Sequence, residues 1–115
     1  MIRGEIWWVD FGIPYGSEPG HRRPALVIQD NSFNASDMNT TVVIPLTTNL
    51  GMAEYPCNEF LSADETGLPK DSVVLTPQIG VIDKTRMEKK ILKLSSTTMR
   101  RISRSVMQLL NLENE

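Results

Sequence analysis

Two adjacent arginines stand directly before a proline and an apolar segment, in the order Arg22-Arg23-Pro24-Ala25-Leu26-Val27-Ile28. Proline restricts the backbone directly after Arg23, so that guanidinium is presented from a rigid base. A rigid, permanently charged fork suits the binding of a phosphate or carboxylate group through two hydrogen bonds. The alternative is a surface ion pair with an acid such as Glu18 or Asp30, and the local sequence alone does not separate the two.

Other residue types that perform catalysis are sparse. The chain has one histidine, His21, and one cysteine, Cys57. A single cysteine excludes an intrachain disulfide and a cysteine-cluster metal site, and a single histidine disfavours a His-rich zinc site. His21 either pairs with a carboxylate such as Glu18 or is simply exposed, and Cys57 is interpreted as a half-buried structural thiol. The sequence contains no glycine-rich phosphate loop, His-Glu-x-x-His motif or nucleophile elbow.

The arginine pair lies between a predicted loop and a predicted strand. Residues 12–22 hold three glycines and two prolines, which is typical of a long loop that is functional or mobile. The aromatic and β-branched residues 3–10 predict a strand before it, and Pro24 opens a second strand over residues 25–29. Further strands are predicted at residues 41–47, 58–61, 72–76, 78–82 and 90–94, with a polar turn at 30–39 and one helical turn at 83–88.

The C-terminal segment has the periodicity of an amphipathic helix. Its apolar residues recur at spacings of three and four, and Ser95 or Ser96 can cap it. Five to seven short strands followed by one helix predict a mainly β, α+β fold, namely a small, strongly bent antiparallel sheet or partial barrel with the helix packed on it. No crossover helix separates the strands, which excludes a parallel βαβ architecture. The length of 115 residues, 40% of them hydrophobic, predicts a single domain over residues 1–115.

Charge is distributed unevenly along the chain. The net charge is −2, but residues 84–104 carry eight basic residues and one acid, whereas residues 1–83 carry four basic and eleven acidic residues. This asymmetry indicates either a surface that faces a polyanion, or a solvated helix face and a lysine-protected edge strand. The longest apolar runs are four residues, far below the ~20 that cross a bilayer, and Arg3 and Glu5 interrupt any signal-peptide core. We therefore expect a soluble, reduced, cytoplasmic protein with no membrane association.

Six sequence blocks occur in an order that is similar to one known family. They are Arg3 to Asp10, Gly16-Ser17-Glu18, Arg22 to Gln29, Val42 to Thr47, Gly67 to Val74, and Gln78-Ile79 followed by Ile82-Asp83-Lys84. Together they resemble the MazF/PemK endoribonuclease toxins of bacterial toxin–antitoxin systems over about residues 2–110. Six blocks in register are hard to obtain by chance.

The resemblance implies a fold and an activity. The fold is an SH3-like antiparallel barrel with a C-terminal helix, shared by MazF, PemK and CcdB-like proteins, and it acts as a homodimer. The implied partners are single-stranded mRNA, a cognate antitoxin and, for the toxin–antitoxin complex, DNA. The implied reaction needs neither a metal nor another cofactor: the ribose 2′-OH attacks its own phosphate and leaves 2′,3′-cyclic phosphate and 5′-OH ends. Such an enzyme supplies charge stabilisation and a proton for the leaving 5′-oxygen.

The resemblance also assigns roles to residues. Arg23 matches the position that stabilises the scissile phosphate, and Thr47 matches the threonine that hydrogen-bonds it. Ser17 and Gln78 match positions associated with substrate contact. The alternatives are an ordinary β-branched strand residue for Thr47 and an exposed polar residue for Gln78. Because the pKa of arginine lies above 12, Arg23 is a poor general base, and the base stays unassigned.

The sequence departs from the family at several positions. PemK-like members carry a histidine in the Gly-x-Glu loop and an arginine and an aspartate in the later strand, where this chain has Ser17, Leu75 and Pro77. Many MazF relatives place an acid before the glutamine and an arginine two residues after it, where this chain has Pro77 and Gly80. The Arg/Thr set is therefore the expected catalytic set, and the base preference is expected to be affected.

Aromatic residues and the loop histidine complete the candidate RNA-contacting set. Tyr15 is positioned in the loop to stack on an unpaired base, with plain packing or exposure as the alternative. His21 is the other loop candidate for substrate binding. Strict strand alternation would turn Trp7 or Trp8 outward and mark an antitoxin interface, whereas a twisted strand would leave both half-buried.

A second class of function fits the same resemblance. A non-catalytic growth-inhibiting toxin of this fold binds a protein target such as gyrase, and a third possibility is a barrel that binds RNA or protein without activity. Only RNA cleavage requires Arg23 together with Thr47. The presence of both residues therefore favours the endoribonuclease.

Overall fold

The computed structural model describes residues 1–17 and 20–112. The described strands are β1 (Glu5–Asp10), β2 (Arg22–Val27), β3 (Thr40–Thr47), β4 (Glu59–Leu61), β5 (Ser72–Val74), β6 (Gly80–Asp83) and β7 (Met87–Lys93). The described helices are α1 (Asn31–Asn34), α2 (Ala63–Thr66) and α3 (Ser96–Leu110). Short 3₁₀ turns occupy Leu50–Glu54, Thr76–Gln78 and Lys84–Arg86.

The strands form one antiparallel sheet that bends at β3. The order is β4-β5-β3-β2-β1-β7, and β6 also pairs with β3. One edge of β3 pairs with β2, while its other edge pairs first with β6 and then, from Leu46 to Thr47, with β5. The expected bent antiparallel sheet with a C-terminal helix is therefore confirmed. In the described residues the end strands β4 and β7 do not pair with each other, so these pairings do not close a barrel.

Two apolar clusters cover the two faces of the sheet. The larger one joins strand residues such as Leu26 and Ile44 to Met99 and Ile102 of α3. The smaller one contains Val9, Ala25, Val27, Val43 and Ile82. Strand alternation explains the division, since neighbouring residues of β2 point to opposite faces.

Helix α3 begins and ends with recognisable caps. Ser95 is the N-cap, and its hydroxyl accepts a hydrogen bond from the Thr98 amide at 3.2 Å. Asn111 ends the helix in the left-handed conformation. The predicted helix is thus confirmed, with Ser95 as the cap. Of the helices in the described ranges, none combines the length and apolar character needed to traverse a bilayer.

Two proline-containing segments differ from the expectation. Strand β2 begins at Arg22, so Pro24 lies inside the strand instead of opening it. This is tolerated because backbone pairing between β2 and β3 starts only at Ala25↔Pro45, and the missing N–H of Pro24 breaks no bond of that ladder. The strand predicted over residues 78–82 begins at Gly80, because Pro77 lies in a 3₁₀ turn that includes Gln78.

Candidate active site

The loop between β1 and β2 is closed at its base by backbone hydrogen bonds. The amide of Phe11 donates to the carbonyl of His21 at 2.9 Å, and the amide of His21 donates to the carbonyl of Gly12. Gly12 has a φ of +73°, and a β-carbon there would lie 2.9 Å from a guanidinium nitrogen of Arg86. The positive φ favours glycine at position 12, whereas the flexible Arg86 side chain could move away from a β-carbon. The loop leaves and re-enters the sheet at a fixed point, one residue before Arg22.

The two arginines at this junction have different environments. The Arg22 Nε donates to the Glu88 carboxylate, and its guanidinium lies 5.3 Å from the centre of the Trp8 ring. Arg22 is thus held by an ion pair and a cation–π contact at an exposed rim. Arg22 is therefore an ion-paired surface arginine, which was the alternative to anion binding, although its partner is Glu88.

Arg23 keeps most of its donors free. Its side chain is half-buried, and its Nε donates to the carbonyl of Gly20 at 3.3 Å. Among the described residues the remaining N–H groups of Arg23 have no partner. Glu18 lies outside the described residues, and the carboxylate of Asp30 accepts from the amide and hydroxyl of Ser32. The hydrogen bond to the Gly20 carbonyl orients the Arg23 guanidinium and leaves its outer N–H groups available to an anion.

Thr47 is the last residue of β3 and pairs with Val73 of β5. The β2–β3 pairing ends at Ala25↔Pro45, so Arg23 and Thr47 each lie two residues beyond its last pair. Two residues is one full alternation, so both side chains belong to the same face of their strands. The Thr47 hydroxyl accepts from the Asn49 amide at 3.2 Å, which leaves its own proton free to be donated.

A small apolar cavity adjoins Thr47. It has a volume of about 220 Å³, and Trp8, Pro24 and Leu68 lie in its wall together with Thr47. Lys70 is the cation at its edge. The surface that faces this cavity is almost entirely apolar, so Thr47 contributes its methyl group to the wall and the hydroxyl points elsewhere.

Three of the four predicted substrate-binding residues lie around a larger cavity. This cavity of about 730 Å³ is lined by Tyr15, Ser17 and Gln78, with Val43 in its floor. Arg23 is not among its lining residues. However, Val43 pairs with Val27, and Val27, Ala25 and Arg23 alternate on one face of β2. The cavity and Arg23 therefore share a face, four residues or about 13 Å apart along the strand.

Gln78 carries a polar atom without a partner. Its amide nitrogen in the backbone donates to the carbonyl of Leu75 at 2.8 Å, which fixes the 3₁₀ turn. Its side-chain Oε1 is buried and has no hydrogen-bond partner. A buried acceptor left unpaired is destabilising. Asn58 Oδ1 and Thr76 Oγ1 are the other buried side-chain oxygens without a partner among the described residues, but of these three residues only Gln78 lines the larger cavity.

His21 and Tyr15 are placed differently. The side chain of His21 is exposed and does not line the cavity beside Gln78. Its backbone has a φ of +60°, so its main structural role is at the loop base. Tyr15 is 81% exposed, which leaves its ring available for stacking on a base. The possible His21–Glu18 pair falls on a residue outside the described ones.

Both tryptophans are half-buried, as the twisted-strand alternative requires. The Trp7 Nε1 donates to Glu5 at 3.1 Å. Burial raises the pKa of the Glu5 carboxyl, but hydrogen bonds from Trp7 and the Ile2 amide, together with Lys90, outweigh it and lower that pKa overall. Trp8 contacts Arg22 and the small cavity. Neither ring forms a free apolar patch on its own.

The Arg22–Glu88–Trp8 arrangement was not foreseen from the sequence. Glu88 lies 66 residues from Arg22 along the chain, so no local pattern links the two. The unpaired Gln78 oxygen was equally invisible, because the sequence predicted a strand at this position. Cys57 is half-buried. Within residues 1–17 and 20–112 no group of three His, Cys, Asp or Glu residues is arranged to hold a metal ion.

Comparison with known proteins identifies a matching family and similar endoribonucleases. The model of a family described as the PemK-like, MazF-like toxin of type II toxin–antitoxin systems matches residues 2–110. Endoribonuclease MazF6 of Mycobacterium tuberculosis is 39% identical over 112 residues, which cover 97% of this chain and 98% of the relative. Endoribonuclease EndoA of Bacillus subtilis is 34% identical over 104 residues, covering 90% of this chain and 89% of the relative.

A solved structure shares the fold. MazF from Deinococcus radiodurans superposes with a TM-score of 0.81 at 23% identity, covering 96% of each chain. An endoribonuclease from a mycobacterial species, solved in complex with its cognate antitoxin, superposes with a TM-score of 0.78 at 21% identity, covering 97% of this chain and 96% of that one. At these identities the similarity establishes the common fold.

Proposed function

We propose that this chain, which belongs to the PemK-like, MazF-like toxin family of type II toxin–antitoxin systems, is an endoribonuclease. Its proposed substrate is single-stranded mRNA. Relatives at 34–39% identity over nearly the whole chain carry the name endoribonuclease. The observation that carries the proposal is the half-buried Arg23 guanidinium, whose N–H groups beyond Nε have no partner in the described residues.

The proposed reaction uses the nucleophile of the substrate. The 2′-OH loses its proton and its oxygen forms a bond to the adjacent phosphorus, the bond from phosphorus to the 5′-oxygen breaks, and that oxygen gains a proton. The products are a 2′,3′-cyclic phosphate and a 5′-OH. Arg23 stabilises the charge on the phosphate oxygens, and the Thr47 hydroxyl donates a further hydrogen bond. The residues named here do not include the general base.

The neighbouring residues would bind the RNA on either side of this phosphate. We assign the bases flanking the scissile bond to the cavity lined by Tyr15, Ser17 and Gln78, with Tyr15 as a stacking surface. The unpaired Oε1 of Gln78 would accept a hydrogen bond from a base amino or imino group. His21, exposed at the loop base, would contact the backbone.

The finer architectural expectations belong to the same proposal. We infer that the bent sheet corresponds to the SH3-like barrel of this family, that residues 1–115 form one domain, and that the protein acts in the cytoplasm without a cofactor. The shared core of sheet and α3 supports the single domain. A cognate antitoxin and a homodimer are the proposed protein partners. One structurally similar endoribonuclease is described in complex with its cognate antitoxin.

The gyrase-binding alternative lacks support. MazF6 and EndoA, to which this chain is similar, are named endoribonucleases, and a non-catalytic toxin gives no reason for the outer N–H groups of Arg23 to stay unpaired among the described residues.

The test is the dependence of cleavage on the 2′-OH. Long single-stranded RNA is first incubated with the protein and a chelator, and the cleaved sites are mapped. An oligonucleotide containing one mapped site is then compared with the same oligonucleotide carrying a single 2′-deoxy nucleotide before the scissile bond. We expect only the all-ribose oligonucleotide to be cut. Uncut RNA of every sequence, or equal cutting of both oligonucleotides, contradicts the proposal.

A further inference from the structure

A second polar cavity lies where α3 meets the N-terminal segment and the end of β7. It has a volume of about 410 Å³, and we call it the α3 groove. Its polar lining consists of Arg3, Asn31, Lys93, Ser96, Arg100 and Ser103. The two apolar side chains in its floor, Leu94 and Met99, are only 3% and 7% exposed. The groove offers a ligand both polar and apolar surface, and three of its lining residues, Arg3, Lys93 and Arg100, are cations.

Two oxygen acceptors of this lining are already used. The Arg3 amide donates to Asn31 Oδ1 at 2.7 Å, and Arg3 Nη2 donates to Ser103 Oγ at 2.9 Å. Arg3 Nε is also fixed, by the carbonyl of Ile28 at 3.0 Å. Lys93 and Arg100 add further N–H donors, of which one on Arg100 is given to the Thr97 hydroxyl at 3.3 Å. Such a donor-rich lining fits an anion with several oxygens.

No carboxylate neutralises the groove from its own lining. Arg3, Asn31, Lys93, Ser96 and Arg100 form none of the ion pairs found among the described residues. Asp30 precedes Asn31, but its carboxylate accepts from the amide and hydroxyl of Ser32. Hydrogen bonds from Ser32 lower the pKa of Asp30 most strongly, and the charge of Arg3 lowers it less. Lys93 and Arg100 therefore keep their charge available.

The first turn of α3 adds to the positive electrostatic potential of the α3 groove. Ser96 is the first residue of this 15-residue helix and lies in the groove wall. The backbone amides of a first helical turn point outward with a partial positive charge. This contribution supplements the three cations and is not needed to define the site.

The groove lies at the opposite end of β2 from the candidate catalytic residues. Arg3 contacts Ile28, which directly follows β2, while Arg23 lies near its start. Five residues separate them, which is about 17 Å along a strand. The groove lies beside α3, which packs on the Leu26 face of the sheet, whereas Arg23 belongs to the Ala25 face. An RNA strand with its scissile phosphate at Arg23 therefore reaches the groove only by passing from one face of the sheet to the other, which requires several nucleotides.

We propose that the α3 groove binds a backbone phosphate of the RNA strand several nucleotides away from the scissile bond. This rests on the proposed function, since it takes the same RNA as its ligand. Three cations without a carboxylate in the lining fit the charge of the RNA backbone, and binding of an acidic peptide is an outcome that the experiment distinguishes. The site contributes affinity without reading sequence, since phosphate contacts are the same at every base.

The experiment compares two RNA lengths and two arginines on one helix. Fluorescence anisotropy measures the Kd of non-cleavable RNAs, each with one 2′-deoxy nucleotide at the scissile position. One RNA contains only the cleavage motif and the other extends it on both sides. Arg100→Gln is expected to raise the Kd for the long RNA about two- to fivefold and to leave the Kd for the short RNA unchanged. Its slope of log affinity against log salt for the long RNA falls by about 0.7, the value for one single-strand phosphate contact.

Arg104→Gln is the matched control. It removes the same charge one helical turn later, from a residue that does not line the groove. The double variant Lys93→Gln/Arg100→Gln is expected to enlarge the loss for the long RNA. Equal loss with both RNA lengths, equal loss in the Arg104 variant, or unchanged binding overturns the proposal. Weakened binding of an acidic antitoxin peptide with unchanged long-RNA binding overturns it in favour of the peptide.

The outcome is separable from that of the proposed function. Cleavage of the short, all-ribose RNA tests the reaction and does not involve the groove. Binding of the long, non-cleavable RNA tests the groove and does not require turnover. A variant that loses only the binding of the long RNA therefore identifies the groove as the binding site. A wild-type protein that does not cleave the short RNA contradicts the proposed endoribonuclease activity.

Discussion

Two sets of polar side chains, around Arg101 and around Arg23, differ in how far the protein itself satisfies them. Arg101 donates to Glu59 at 3.3 Å and to the carbonyl of Phe60 at 3.1 Å, and lies 3.7 Å from Glu65. Ser105 donates to Glu59 at 2.9 Å. Arg23 and Gln78, in contrast, keep polar atoms that no described residue satisfies. The matched set around Arg101 holds this side of α3 to β4 and α2, whereas the unmatched set is the one that we assign to the RNA.

The largest expected effect is the loss of Arg23. Arg23→Ala is expected to lower the cleavage rate by at least about 10³-fold, because a preorganised charge on the transition state is removed. The melting temperature stays close to that of the wild type, since the side chain makes one long hydrogen bond. Single-turnover cleavage and thermal unfolding measure the two quantities.

The neighbouring arginine provides the control for that variant. Arg22→Ala removes the same charge but breaks only an exposed ion pair and a cation–π contact. It is expected to keep the cleavage rate within about tenfold of the wild type. An Arg22 variant as impaired as the Arg23 variant would show that the difference between the two arginines is not functional.

Thr47 is expected to give the next largest effect. Thr47→Ala should lower the single-turnover rate by about 10²-fold, which is the usual cost of one preorganised donor. Thr47→Ser keeps the hydroxyl and is expected to recover most of the rate. An undiminished rate in the alanine variant would leave Thr47 with a structural role only.

Gln78 sharpens the comparison, because stability and binding should change in opposite directions. Gln78→Met removes a buried unpaired oxygen and is expected to stabilise the fold by about 1 kcal/mol. The same change is expected to weaken RNA binding about tenfold, since the acceptor for the base is lost. Thermal unfolding and the Kd for non-cleavable RNA are measured together. A less stable variant with unchanged affinity contradicts the assignment of this oxygen to a ligand.

A change at Glu65 is expected to have the smallest effect on stability, and it tests the contacts between α2 and α3. A hydrogen bond from the Ser62 amide is the main cause that lowers the pKa of Glu65, and Thr98 and Arg101 lower it further. A lowered folded-state pKa gives stability that is present above the ordinary value of 4.5 and is lost as pH falls through the folded value. Glu65→Gln is therefore expected to destabilise by about 1 kcal/mol or less at neutral pH.

The pH dependence distinguishes this from a simple loss of packing. The difference in melting temperature between the wild type and Glu65→Gln should shrink as the pH is lowered below about 4.5. Cleavage at neutral pH is expected to stay the same, because Glu65 lies in α2 and contacts α3. A pH-independent difference contradicts the role of the Glu65 charge.

The sequence predicted most of the fold because the relevant signals are local. The spacing of apolar residues from Met99 to Leu110 located α3, and the glycines and prolines of residues 12–22 located the loop. The predicted strand positions differ from the structure mainly at Pro24 and Gln78. At both places the effect of a proline depends on which backbone groups the neighbouring strands use, and that pairing is not visible in the sequence.

The candidate site was predictable only in part. The resemblance selected Arg23, Thr47, Ser17 and Gln78, and the position in the loop added Tyr15 and His21. The structure brings Tyr15, Ser17 and Gln78 to one cavity. The difference between Arg22 and Arg23 could not be predicted, because it depends on Glu88 in a distant strand. The α3 groove combines Arg3 with Arg100, nearly the full length of the chain apart, which only the folded structure reveals.

The most direct measurement is the chemical identity of the ends that the protein produces. Mass spectrometry of RNA fragments, formed in the presence of a chelator, distinguishes a cyclic phosphate from a linear one. The wild type is predicted to give 2′,3′-cyclic phosphate and 5′-OH ends, and Arg23→Ala to give no fragments above background. Fragments with 3′-OH and 5′-phosphate ends, or the same fragments from the Arg23 variant at the wild-type rate, would contradict a reaction in which this guanidinium stabilises attack by the ribose.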